Sequence, residues 1–141
     1  MGAHSVKGIP LRNDDVEELR ERFSDLLNYD EEDLHKPIDP LCYRTPEGDT
    51  CLHISARRSD IRAITLLLKF GVDIDAPGDM GYTALHDAVS AGNAEVVSYL
   101  LNAGASTQPR NDLGQTAEDL ARHLGLSDIL RLCDAHRVRG S

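Results

Sequence analysis

From residue 50 onward the apolar positions of this chain fall on a repeating grid. Ile61, Ile64, Leu67 and Leu68 share one stripe at helical spacing, and Val96, Val97, Leu100 and Leu101 repeat it. A shorter apolar helix precedes each stripe, starting after Thr50 or Thr83, and a polar break (Ser59-Asp60, Gly92-Asn93, then Gly125) divides the two. Threonine at such a start is a good N-cap, worth about 1 kcal/mol against alanine. Each stripe runs to a glycine, Gly71 or Gly104, as a helix C-cap requires. The pattern predicts pairs of short helices joined by turns, an all-α chain.

The grid has a fixed period. "GDTCLHISARRSDIRAITLLLKFGVDIDAPGDM" (48–80) lies over "GYTALHDAVSAGNAEVVSYLLNAGASTQPRNDL" (81–113) without a gap, 33 residues on 33. Gly48/Gly81, Thr50/Thr83, Leu52/Leu85, His53/His86, Leu67/Leu100, Leu68/Leu101, Gly71/Gly104 and Asp79/Asp112 coincide. A shortened copy, "GQTAEDLARHLGLSDILRLCDAHR" (114–137), keeps Gly114 and Thr116 in frame.

This pattern resembles the ankyrin repeat, with its Gly-x-Thr-Pro-Leu-His opening, Leu-Leu pair and Gly-Ala-Asp-Val ending. The resemblance covers about residues 45–137. It implies a solenoid of stacked helix–turn–helix units with hairpin or turn fingers projecting at right angles, working as a protein-binding module. The units are 45–77, 78–110 and a capping repeat at 111–137, ahead of a tail at 138–141. The sequence departs from the family in places. The family proline is Cys51, Ala84 and Ala117, which removes some preset φ at the helix starts. Ser59 stands where a glycine would shape the turn between helices. Glu118 and Asp119 replace the Leu-His pair in the third copy, the polar outer face that a terminal repeat needs.

Ahead of the repeats, residues 1–44 read as a capping helix and linker or as a degenerate repeat. Val16, Leu19, Phe23, Leu26 and Leu27 form a helical stripe over 14–29, with Asp14 and Glu17 suggesting a capping-box start. The stripe serves either to cap the first repeat or to dock a partner helix. Ile38-Asp39-Pro40 is similar to Ile74-Asp75-Ala76-Pro77, and Leu41–Pro46 would then form a longer finger, a natural contact site.

Charge and composition narrow the partners. The 141 residues carry a net −9, five of those negative charges in 1–44 (six Lys/Arg against eleven Asp/Glu), which argues against nucleic acid or an anionic membrane. The excess serves solubility or steers a basic partner. No apolar run is long enough to span a membrane or to form a secretory signal. Cys42, Cys51 and Cys133, odd in number and irregular in spacing, read as reduced thiols of a cytoplasmic protein.

Chemistry finds little support. Cys51-x-His53 and Cys133-x-x-His136 lack the paired spacing of a structural zinc site, and no metal or cofactor is expected. A helix start at Cys51 makes a lowered thiol pKa conceivable, but no base, orienting group or phosphate loop accompanies it. We expect no enzyme. For His53 and His86, the resemblance implies a hydrogen-bonding role beside Thr50 and Thr83. It also puts partner contacts at the finger tips and on the exposed side of each first helix. By register these are Asp49, Asp79, Met80, Tyr82, Arg110, Asp112 and Leu113 at the fingers, with Arg57, Arg58 and Ser90 on the helices. Tyr82 is the expected chief anchor, since aromatics, Met and Arg are enriched in interfaces. The expectation is a monomer that docks an unidentified partner protein, either as an adaptor or as a stoichiometric inhibitor of a basic enzyme such as a nuclease, of the antitoxin or immunity type.

Overall fold

The computed structural model describes residues 5–6, 9–10, 13–29 and 31–140. Two strands, β1 (Ser5–Val6) and β2 (Ile9–Pro10), pair antiparallel ahead of seven helices. Helix α1 spans Asn13–Arg22. Three pairs follow, α2 (Cys51–Arg58) with α3 (Ile61–Lys69), α4 (Ala84–Ser90) with α5 (Ala94–Asn102), and α6 (Ala117–Leu124) with α7 (Ser127–Gly140). First helices stack in one row, α2 on α4 and α4 on α6, and each packs on its own second helix. The chain is therefore an all-α repeat solenoid. Among the described residues no helix is long and apolar enough to cross a membrane.

The 33-residue grid carries the core. Ala63, Val96 and Ile129 are successive register mates and all are buried. Leu67, Leu100 and Cys133 form a second such row, so Cys133 is a core residue and burial pushes its thiol pKa up. Removing the side chain of a buried leucine such as Leu67 would forfeit about 2–5 kcal/mol, which is why the stripe tolerates little.

Each second helix starts on a polar cap, Asp60 accepting from the Ala63 amide and Asn93 from the Val96 amide. Before these caps the chain must reverse within one residue. Ser59 does so in the left-handed region (φ 59°, ψ 33°), where Gly92 and Gly125 sit at φ 69° and 73°. The turn keeps its shape without glycine, and Asn93 Nδ2 donates to the Ser59 hydroxyl across the repeats.

At the N-terminal end α1 is shorter than its apolar stripe. It stops at Arg22 rather than continuing to Tyr29, and residues 23–26 close as turns, with the Leu26 amide donating to Phe23 O. Asp14 lies inside the first turn rather than at the cap. Leu19 and Phe23 are buried, Val16 and Leu26 pack against the core, and α1 lies on α3. Ion pairs surround that contact: Lys69–Asp15 (2.8 Å), Arg22–Asp60 (2.7 Å) and Arg62–Glu18 (2.9 Å). Arg62 and then Arg22 draw the Glu18 carboxyl down to about 2. The stripe is thus used within the chain.

The expected contact finger at Leu41–Pro46 is partly internal as well. Tyr43 is buried with its hydroxyl donating to Leu27 O, and Arg44 reaches both Gly48 O and Pro77 O. Left-handed serine carries a conformational cost that glycine lacks. We expect Ser59→Gly to stabilise the fold by about 0.5–1 kcal/mol in urea unfolding, net of the lost Asn93 bond.

Candidate functional site

The site grows from the way fingers attach to helices. Three finger hairpins close with one bond at the repeat period: Thr45 N to Asp49 O (2.9 Å), Gly78 N to Tyr82 O (2.7 Å) and Asn111 N to Gln115 O (2.9 Å). Immediately after each comes the capping threonine, Thr50, Thr83 or Thr116. The Thr50 amide donates to His53 Nδ1 (3.1 Å), which fixes the proton on Nε2, and Nε2 donates to Tyr82 O in the next finger (2.8 Å). His86 repeats this with the Thr83 amide (3.1 Å) and Gln115 O (2.9 Å). Both imidazoles are buried, and desolvation lowers their pKa values, so they stay neutral. Asp119 takes the Thr116 amide (3.1 Å) in the third repeat but has no second nitrogen to extend to another finger.

Gly78 lets finger and helix approach this closely. A Cβ at Gly78 would lie 2.4 Å from Asp49 Oδ1 and 2.8 Å from His53 Nε2. The second finger turns at Met80, which adopts φ 55°, ahead of Gly81 at φ 72°. That leaves Met80 half exposed, while its carbonyl accepts the Asp112 amide of the third finger (2.9 Å).

At the foot of the second finger is a small pocket of about 150 Å3, lined by Arg57, Asp79, Met80, Tyr82 and Asp87. Arg57 Nη2 donates to Asp49 Oδ2 (2.9 Å) and Nη1 lies 3.2 Å from Asp87 Oδ2. The second contact is an ion pair without hydrogen-bond geometry, and Asp87 Oδ2 is buried with no hydrogen bond. Burial, opposed by Arg57 and reinforced by the charges of Asp49 and Asp79, pushes the Asp87 carboxyl up to about 7. Asp49 is itself buried, and its Oδ1 accepts the Asp79 amide (2.9 Å), tying the first finger to the second.

Of the expected contact residues, the structure therefore gathers Asp49, Arg57, Asp79, Met80 and Tyr82. Asp49 faces inward as a brace rather than outward. Tyr82 is only partly exposed and packs on the core, its ring 5.3 Å from the His86 ring. Arg58 turns away from the pocket to the end of α1 and the turn after it, pairing with Asp25 (2.6 Å) and reaching Arg22 O. Arg110 clamps its own finger through Gly114 O (2.7 Å). Asp112 and Leu113 are exposed at the third finger, Leu113 by 68%, and Ser90 is exposed at the end of α4.

Asp87 is not among the expected contact residues, although its sequence position carries a signal. Its register mates are Ile54 and Leu120, both buried, so a carboxylate stands in an otherwise apolar slot. A larger groove, about 900 Å3, runs between α1 and residues 35–41 over Leu19, Phe23 and Ile38, away from this cluster.

Asp49, His53 and Asp87 can bring one ligand atom each within 4.8 Å of one another. However, both nitrogens of His53 are already bonded, and the Arg57 guanidinium sits between the two carboxylates where a cation would go. The donor set does not fit a metal. Nor is Cys51 an activated thiol. It is buried at the first turn of α2, and desolvation drives it up to about 12, the opposite of the lowering that its helix-start position suggested.

Compared with known proteins, residues 23–111 match a family described as ankyrin repeats (three copies). No curated protein matches the chain.

Two predictions follow from the geometry. Gly78→Ala should destabilise the chain by about 1–3 kcal/mol in urea unfolding, because the added methyl meets a buried carboxylate and imidazole. Stability should also depend on pH from both sides. His53 and His86 bind protons less readily folded than unfolded, so their contribution is full above about pH 6.5 and is lost as pH falls below it. Asp87 runs the other way: raised from 3.8 to about 7, its contribution is full below pH 3.8 and lost as pH rises through about 7. Urea midpoints measured from pH 5 to pH 8 should show Asp87→Asn flattening the alkaline limb while leaving the acid limb in place.

Proposed function

The chain belongs to the ankyrin-repeat family, and on that premise we propose that it is a non-catalytic docking module that seats one partner protein on its finger tips and first helices. The observation that carries this reading is a pair of exposed apolar side chains on consecutive fingers. Met80 is 51% and Leu113 68% exposed, and their fingers are joined by the Asp112 N to Met80 O bond. Apolar side chains fixed on rigid turns lose little entropy on binding, which suits them as anchors. Met80 also holds a left-handed backbone that costs of order 1–3 kcal/mol, a strain that tends to persist where function uses it.

The finer assignments are ours too. Asp79, Asp112 and Arg57 set the polarity of the surface, Ser90 and Arg110 lie at its margin, and Tyr82 supports it from beneath. His53 and His86, with Thr50 and Thr83, serve the stack. Residues 1–44 act as N-terminal cap and linker or as a degenerate repeat, followed by repeats at 45–77 and 78–110 and a capping repeat at 111–137. The chain acts in the cytoplasm and is monomeric on its own; the raised thiol pKa values of Cys51 and Cys133 suit a protein that keeps its thiols reduced.

The test is capture of partners from the native source by photocrosslinking at Met80, then affinity measurement on the captured protein. Met80→Ser and Leu113→Ser should each weaken it by more than about 1 kcal/mol, a fivefold or greater loss, with the urea midpoint unchanged within about 0.5 kcal/mol. Undiminished affinity in both variants would remove the finger tips from the interface and overturn the reading.

A further inference from the structure

The pocket at the foot of the second finger carries more charge than it balances. Asp79 and Asp87 line it with a single cation, Arg57, and Arg57 is shared with Asp49 behind the pocket. Arg57 is committed to Asp49 by a hydrogen bond, and to Asp87 only by an ion pair. Asp79 is exposed and has no ion-pair partner among the described residues. Asp87 is 6% exposed, lines the pocket and keeps a buried carboxylate oxygen without a hydrogen bond. The Arg57 ion pair alone satisfies that carboxylate incompletely, and a donor entering the pocket would supplement it.

The walls narrow the class of donor. Met80 on the strained turn is half exposed beside the pocket, and Tyr82 lines it as well. An apolar wall leading to surplus carboxylates matches a side chain with an aliphatic stem and a cationic end. We propose that this pocket receives an arginine or lysine side chain of the partner protein, its stem on Met80 and Tyr82 and its charged end between Asp79 and Asp87. This rests on the docking reading above and names the chemistry of what docks. A guanidinium suits the site better than an ammonium, because its planar fork can serve both carboxylates at once. Burial is the main cause of the raised carboxyl of Asp87, and the charges of Asp49 and Asp79 add to it against Arg57.

The inference can be tested without knowing the partner. The full chain, with its methionine methyl groups labelled with carbon-13, is titrated with the acetylated tripeptide amide Ala-Arg-Ala and, separately, with its neutral citrulline counterpart. A saturable shift of the Met80 methyl signal is expected with the arginine peptide, at least fivefold weaker with the citrulline peptide. Asp79→Asn, at an exposed position, should weaken the arginine peptide at least threefold, and Asp87→Asn more. Equal shifts from both peptides, no saturable shift from either, or no effect of Asp79→Asn would each overturn the proposal. So would magnesium chloride reproducing the shift at the same concentration, which would assign the pocket to inorganic cations. These outcomes leave the docking reading untouched, since partner capture at Met80 and the Met80→Ser and Leu113→Ser variants test that separately.

Discussion

The fold hangs on one repeated hydrogen bond, the Nε2–H of a buried histidine to a carbonyl in the following finger. His53 makes it to Tyr82 and His86 to Gln115. Each imidazole also receives the amide of its own capping threonine on Nδ1, so one side chain satisfies a helix terminus and joins two repeats. A neutral ring with one donor and one acceptor is required for both tasks, and burial keeps the ring neutral. Asp119 shows the converse: it accepts the Thr116 amide at the helix start, as the histidines do, but as a carboxylate it has no N–H to donate to a following finger.

Holding fingers this close to helices concentrates acids at the junction. Asp49 can brace the Asp79 amide only from a buried position, and Asp87 enters a slot that its register mates fill with Ile54 and Leu120. Arg57 offsets part of the repulsion at a distance where burial raises the strength of every charge interaction. Where α1 packs on α3 the balance is different. There the acids Asp15, Glu18, Asp25 and Asp60 each meet an arginine or lysine, and the acidic excess of the N-terminal segment is partly absorbed in fixing α1.

How far the sequence could be read depended on how local the cause was. The helix pairs, their glycine stops and the threonine starts are written in spacing, because the 3.6-residue period and the cap chemistry act within a few residues. Cys133, expected only as a reduced thiol, carried an unread signal in its register with Leu67 and Leu100, and it lies in the core. The apolar stripe of α1 was legible too, but its end was not: residues 23–26 leave the helix to close turns that bring Phe23 and Leu26 against the core.

The sequence by itself determined the period, the paired helices of the repeats, their threonine caps and hence the family and the solenoid. Only the tertiary structure decided which polar residues face outward. Arg57 and Arg58 are neighbours in sequence, yet one stands over the Asp49–Asp87 pair and the other against Asp25 in the turn after α1, since adjacent helical residues point about 100° apart. The pair Cys51 and His53, which looked reactive by proximity, is divided for a similar reason. The thiol is sealed in the core with its pKa driven to about 12, while both nitrogens of the imidazole are spent on backbone groups. A charge's role here depends on what is packed over it and how much water remains, and neither quantity is local in sequence.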